Sequence, residues 1–335
     1  MDGDVIKVRP GDYNEPFYFN NRAVTVTSID PNDPNVVDMT VIDAQVTFDF
    51  LEDSNSVLTG FTITGTNTGI KCLGSSPTIT KNNIRIYGGY AITGLYGASP
   101  TITYNTIITD RRYGIVDCHG IISHNHFYNN NTALMNCDGY ISNNTIQNNA
   151  DGLVTCDGTI VSNVIRDCNT SGLRLCNGNI TNNLIEHNGA PSSPAGGALY
   201  QCNGNISSNT IIHNVAERSG AGLFECNGTI EDNIISDNRC TDIDDSTHGG
   251  GLYKCGGSIM NNSITQNSAD YGGGLYMCDG DVVGNTIADN NAVSDGGGLY
   301  QCDGNITSNI IINNIAERHG GGLYDCDAPY KPVIA

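Results

Sequence analysis

The segment LYQCNGNISSNTIIHNVAERSGAGLFEC, residues 199–226, returns one hundred residues later as LYQCDGNITSNIIINNIAERHGGGLYDC, with 19 of 28 positions identical. The same sentence, less strictly copied, underlies most of the chain. Ten cysteines (Cys118, Cys137, Cys156, Cys176, Cys202, Cys226, Cys255, Cys278, Cys302 and Cys326) each precede a turn-forming pair such as Asp-Gly or Asn-Gly. Their successive spacings are 19, 19, 20, 26, 24, 29, 23, 24 and 24 residues. A period of about 20 to 30 residues means a solenoid, in which each unit buries its apolar edge only against its neighbours.

Within one unit, GGGLYxC reads as a strand, Asn-Gly or Asp-Gly as a corner, and two successive xIxxN segments as further strands. No ten-residue stretch of the repeat keeps a 3.6-residue period, so helices are excluded. Asn and Gly at fixed places supply the left-handed conformations that sharp corners need. The solution that remains is all-β: a coil of three short strands, each stacked in parallel on the next coil about 4.8 Å away. From Cys72 onward the coils average about 23 residues. The expectation is one domain, 1–335, of about 13–14 coils in a rod of roughly 65 Å, less regular over 1–68 and regular over 69–335.

Composition narrows the partners. The chain has 335 residues, 41 of them Gly, 15% charged, with a net charge of −20. Such an acid excess excludes nucleic acid, whose binding rests on Lys and Arg neutralising phosphates, and disfavours an anionic membrane surface. No run of about 18 apolar residues is present, so no membrane insertion by a helix is expected.

GIKCLGSSPTITKNNI (residues 69–84), GDVIKVRPGDYNEPFYFNNRAVTVTSIDPNDPNVVDMTVIDA (residues 3–44) and the cysteine units resemble the right-handed parallel β-helix repeat proteins of the pectate-lyase-like superfamily, of the planctomycete and environmental-bacterial type. The resemblance covers essentially the whole chain and implies a right-handed coil. It also implies an amphipathic cap helix before the GDVIKVRPG strand. None precedes it here and DAPYKPVIA reads as no cap, so truncation at both ends is expected, with a monomer or end-to-end assembly. The resemblance implies a secreted or cell-surface protein with polysaccharide as partner.

Repeated residues become columns. One thiol per coil does not gather the tetrahedral ligand set that zinc needs, so the cysteines are expected to pack as small hydrophobes, with Cys168 and Cys240 in corners and exposed. Asn183, Asn209, Asn233, Asn262, Asn285 and Asn309 are expected to hydrogen-bond a corner's backbone. Leu and the following residue alternate across the strand, which sends Leu inward. Arg174, Tyr200, Phe224, Tyr253, Tyr276 and Tyr300 then form an outward stripe, either a platform for sugar stacking or a ladder whose rings stack on one another.

Chemistry is expected where coils lengthen. The two longest carry NGAPSSPAGG (188–197) and DNRCTDIDDSTHGG (237–250), with the AERSG coil between them as the floor of a notch. The notch is expected to gather His187, His213, Glu217, Arg218, Arg239, Asp242, Asp244, Asp245 and His248, with Glu225 and Lys254 on its floor. Asp242, Asp244 and Asp245 offer oxygen ligands to Ca2+. A uronate lyase needs a base and a cation for its enolate: Lys254 or Arg218, with Glu225 and His213 beside them, are the candidates. Hydrolysis would need a carboxylate pair. Three readings stay open: polysaccharide binding along the sheet, cleavage at the notch by lyase or hydrolase chemistry, and a non-catalytic structural or adhesive rod.

Overall fold

The computed structural model describes residues 2–110, 112–193, 196–242 and 246–327. The chain forms two compact units, Met1–Val164 and Ile165–Ala335. Both are parallel β-solenoids, and three sheets of 14 strands each account for about 14 turns. In the first unit the first sheet runs from Val5–Val8 to Thr159–Val161, the second from Gly11–Tyr13 to Thr145–Gln147, and the third from Phe17–Tyr18 to Asp151–Val154. In the second unit the same sheets run from Asn179–Thr181 to Ile306–Thr307, from Leu184–Glu186 to Ile310–Ile312, and from Ser171–Arg174 to Leu323–Tyr324. The helix described is a six-residue turn, Pro34–Met39, capped by the Asp33 carboxylate accepting from Asn35 N–H.

Strands two to five residues long survive because each coil repeats its neighbour in register. Ile79 pairs with Ile102 and Ile206 with Ile230, and Leu223 pairs with Leu252. Away from the ends, the inward positions of the three sheets carry Ile, Leu, Val or Phe columns with no solvent exposure, among them Ile63, Ile84, Phe127, Leu199, Ile211 and Ile259. Full burial of one such side chain stabilises by about 1.5–3 kcal/mol.

Each corner is made by a residue in the left-handed region. Lys81, Tyr104, His124 and Asn143 (φ 54–57°) turn the first sheet into the second. His187, His213 and Asp237 (φ 54–56°) close the second sheet, and Gln201, Glu225 and Lys254 (φ 49–50°) close the third. Immediately after the first corner stands the expected asparagine column, buried from Asn183 to Asn285 and half-buried at Asn309 in the last coil. Asn233 donates its backbone N–H and its Nδ2 to Asn262 Oδ1 at 2.9 and 3.0 Å, and Nδ2 also reaches Ile206 O at 2.8 Å. The column extends back to Asn82, Asn105, Asn125 and Asn144 with the same bonds. A second column, Asn188, Asn214, Asn238, Asn267 and Asn290, does the same work after the second corner.

Two expectations change. Cys168 and Cys240 are buried, not exposed. Cys168 occupies an asparagine place in the second column, its N–H donating to Asn188 Oδ1 at 3.1 Å. Cys240 packs among Ala216, Ala221 and Ala269. All thirteen cysteines are thiols, twelve of them buried, and burial pushes Cys72 and Cys240 up to about 12. Such groups stay protonated and unreactive at neutral pH. The second difference is a fourth sheet in the second unit: Val215–Ala216, Arg239–Cys240, Ser268–Tyr271, Asn291–Asp295 and Ile315–Ala316. It lies where the coil has lengthened to 23 residues or more, between the second corner and the Gly-rich return.

Replacing Asn233 by Ala leaves the N–H of Asn209 and the carbonyl of Ile206 buried without partners. The loss of stability expected in chemical denaturation is about 2–4 kcal/mol, against less than about 0.5 kcal/mol for exposed Asn203→Ala.

Candidate functional site

The outward face of the third sheet carries the aromatic column, with Leu199, Leu223, Leu252, Leu275 and Leu299 fully buried behind it. Arg174 stands in register with Tyr200 at its head. Tyr200–Phe224, Phe224–Tyr253, Tyr253–Tyr276 and Tyr276–Tyr300 have ring centroids 5.0–5.4 Å apart and interplanar angles of 2–15°. The coil spacing therefore lays each ring flat on the next. A sugar stacks on a ring through its face, and from Phe224 to Tyr276 both faces are taken by neighbouring rings. What the column presents outward is ring edges. Burial among the rings pushes the Tyr276 phenol up to about 12.

Beside this column runs a second register at the return from the fourth sheet to the third: Ser219, His248, Tyr271, Asp295 and His319. His248 stacks on Tyr271 (5.6 Å, 17°) and meets Tyr276 edge-on (4.6 Å). Burial lowers its pKa below 6.5; Asp270 opposes that shift and Lys254 adds to it. Asp295 Oδ1 and His319 Nδ1 are 2.7 Å apart. A glycine follows each position. Gly272 has φ +62°, and a Cβ there would stand 2.4 Å from Leu275 O.

An open groove of about 630 Å³ lies beside the two long segments, but it is not the expected notch, because no residue of the AERSG coil and neither Glu225 nor Lys254 lines it. Pro191 of the first long segment and Thr241, Asp242 and Thr247 of the second form its rims. Its floor is the fourth sheet rather than the aromatic strand, with Arg239, Ser268 and Asn291 in register. Thr247 N–H donates to Asp270 Oδ2 at 2.9 Å, and Asp270 N–H donates to Thr247 Oγ1 at 2.7 Å. This reciprocal pair fixes one rim to the floor.

The structure distributes the other expected residues over separate corners. His213 lies after the second sheet, stacked on His187 (5.1 Å, 8°). Arg218 follows the fourth-sheet strand and pairs with Asp242 at 3.3 Å. Glu225 and Lys254 sit at the turn leaving the third sheet. There Glu225 accepts from Gln201 Nε2 at 2.8 Å, and the Lys254 ammonium lies 5.1 Å from the Tyr253 ring centroid. Among the described residues no ion pair joins Lys254 to Glu225, and only Arg239 and Asp242 of the expected set line the groove. Asp244 and Asp245 lie outside the described residues. Asp242 is engaged by Arg218, and among the described residues no group of three His, Cys, Asp or Glu is placed to hold a metal ion.

Residues 68–200 match the family model described as the right-handed β-helix region. The fold is a right-handed parallel β-helix. No curated protein matches the sequence. Among solved structures, the catalytic unit of the thermostable GH87 α-1,3-glucanase from Streptomyces thermodiastaticus strain HF3-3 is similar at 14% identity and TM-score 0.40. The likeness covers 94% of this chain and 63% of that one, so the β-helix spans less than two thirds of the glucanase unit. The A-module of the mannuronan C-5 epimerase AlgE6 of Azotobacter vinelandii is 12% identical, with TM-score 0.28, over 98% of this chain and 91% of that one. No helix among the described residues is long and apolar enough to cross a membrane.

The lowered pKa of His248 has a defined sign. The unfolded imidazole takes a proton near 6.5 and the folded one only at lower pH. Its contribution to stability is complete above about pH 6.5 and is lost as pH falls below it, because the unfolded chain then binds more protons. Melting temperatures at about pH 7.5 and 5.5 should differ more in the wild-type protein than in His248→Gln.

Proposed function

We propose that the protein is a polysaccharide-binding β-helix, working outside the cell or on its surface, that holds an extended glycan in the groove over the fourth sheet. The observation that carries this reading is the groove's lining. Arg239, Ser268 and Asn291 project from successive coils of a rigid sheet, and Thr241 and Asp270 flank them. Hydroxyl, amide, carboxylate and guanidinium groups are the donors and acceptors that a polyhydroxylated chain needs. The coil repeat of about 4.8 Å is close to the length of one sugar along an extended chain, so each coil meets one residue. Arg239 adds a bidentate partner for a uronate carboxylate.

Binding without cleavage is the form favoured here. Lyase chemistry would need Lys254 or Arg218 as base within reach of one substrate carbon. Neither lines the groove, and Arg218 is paired with Asp242. Calcium has no role in this reading. The structural-rod alternative is supported by the aromatic column, whose rings stack on each other as a stabilising ladder would.

Isothermal titration with pectin, alginate and neutral β-glucan oligosaccharides tests the proposal, with unsaturated-uronate absorbance followed in parallel. At least one glycan should bind, and Arg239→Ala or Asn291→Ala should weaken it about tenfold, or about 1.4 kcal/mol, with an unchanged melting temperature. Absence of binding to any glycan would leave the rod. New absorbance lost in Lys254→Ala would make the protein a lyase.

A further inference from the structure

The first unit holds a different surface at the corner between its first and second sheets. The corner residues there stack in the order Lys81, Tyr104, His124, one per coil, since Thr80, Thr103 and Ser123 before them pair in register. Tyr104 is 58% exposed. His124 covers one face of its ring at 4.9 Å and 22°. Unlike Phe224, Tyr253 and Tyr276, Tyr104 has a single ring neighbour in its column. Tyr104 also lines a cavity of about 250 Å³, together with Lys81 and with Pro31, Asn32, Pro34, Val37 and Asp38 of the segment 31–38.

That segment is built to stand there. Asp33 caps the turn Pro34–Met39, and Gly60 (φ +81°) lets Pro31 approach: a Cβ on Gly60 would lie 2.5 Å from Pro31 Cβ. The cavity's polar groups are pre-oriented but not saturated. Asp38 Oδ1 accepts from Asn83 Nδ2 at 3.0 Å and Thr62 Oγ1 at 3.4 Å, with Arg85 Nη2 3.5 Å away. All three contacts fall on one oxygen, so Oδ2 is open to a ligand hydroxyl. Lys81 Nζ donates to Asn32 Oδ1 at 2.6 Å, which draws the ammonium toward the segment and leaves it two further N–H donors.

We infer that this cavity is a binding site for one neutral hexopyranose unit, the end or branch of a glycan, lying against Tyr104 with its hydroxyls held by Asp38 and Lys81. No second ring closes Tyr104 on the side away from His124, where the next residue of the column is Lys81 with its ammonium drawn to Asn32; an aromatic face attracts the polarised C–H groups of a sugar's apolar side. The paired signs of Asp38 and Lys81 match vicinal hydroxyls, one donating and one accepting, and the volume admits a single ring. The site is separate in residues and unit from the groove over the fourth sheet and does not rest on that reading.

Saturation-transfer NMR on the whole protein with the methyl glycosides of glucose, galactose and mannose reads the site directly, with methyl glucuronide and methyl N-acetylglucosaminide as further arms. At least one neutral glycoside should give a signal. Tyr104→Asn should weaken it about tenfold; Asn143 holds the equivalent left-handed corner in a later coil, so the variant folds, and its melting temperature should match wild type. Tyr104→Phe should bind within about threefold of wild type, and Asp38→Asn should bind more weakly than Tyr104→Phe. Arg239→Ala should leave the signal intact. A neutral-sugar signal untouched by Tyr104→Asn, or lost in Arg239→Ala, would overturn the assignment, as would no signal at all or response to the glucuronide alone.

Discussion

The amide-to-amide bond between coils is the interaction on which the rest of the structure depends. A corner every few residues strips hydrogen-bond partners from the backbone, and an unsatisfied buried N–H or C=O costs about 1–3 kcal/mol. One asparagine after a corner answers several of these at once. Its Oδ1 accepts from the N–H and Nδ2 of the asparagine one coil back, and its own Nδ2 bonds a carbonyl of a preceding coil. Two such columns hold two of the corners. With the corners fixed, two-residue strands such as Leu223–Phe224 need no length of their own to stay in register.

The same stacking limits what the surface can do. Identical residues at a fixed coil spacing contact each other before they contact a ligand. Tyrosines become a closed stack, and His187 pairs with His213. Open faces and unsaturated polar groups survive where the repeat is broken. The two long segments raise rims above the fourth sheet, and the insertion 31–38 faces a corner whose column changes residue at every step, from Lys81 to Tyr104 to His124. Both candidate glycan sites lie at such breaks.

Much of the architecture was legible because a solenoid converts sequence period directly into spatial neighbours. The cysteine spacing located the coils, and the Leu–aromatic alternation put Leu inside. The second asparagine column was equally present, since Asn188, Asn214 and Asn238 follow the first column by five residues each, but a residue at the end of one strand and the start of a corner reads either way. Cys168 and Cys240 were misplaced because local sequence names a corner without saying what packs over it. The fourth sheet escaped because strands such as Val215–Ala216 and Arg239–Cys240 are too short to show an alternation.

By itself, then, the sequence determined the all-β solenoid, its coil length, its inward Leu and Ile columns and the place of the long segments, because each follows from period and from the two-sidedness of a strand. Tertiary structure alone decided how the surface is used. Whether a ring offers its face depends on the residue one coil away, as Tyr104 and Tyr253 show. Whether charged residues form one site depends on which corner each occupies, as His213, Arg218, Glu225 and Lys254 show. Those are distances between coils, and they exist only once the coils have closed and stacked.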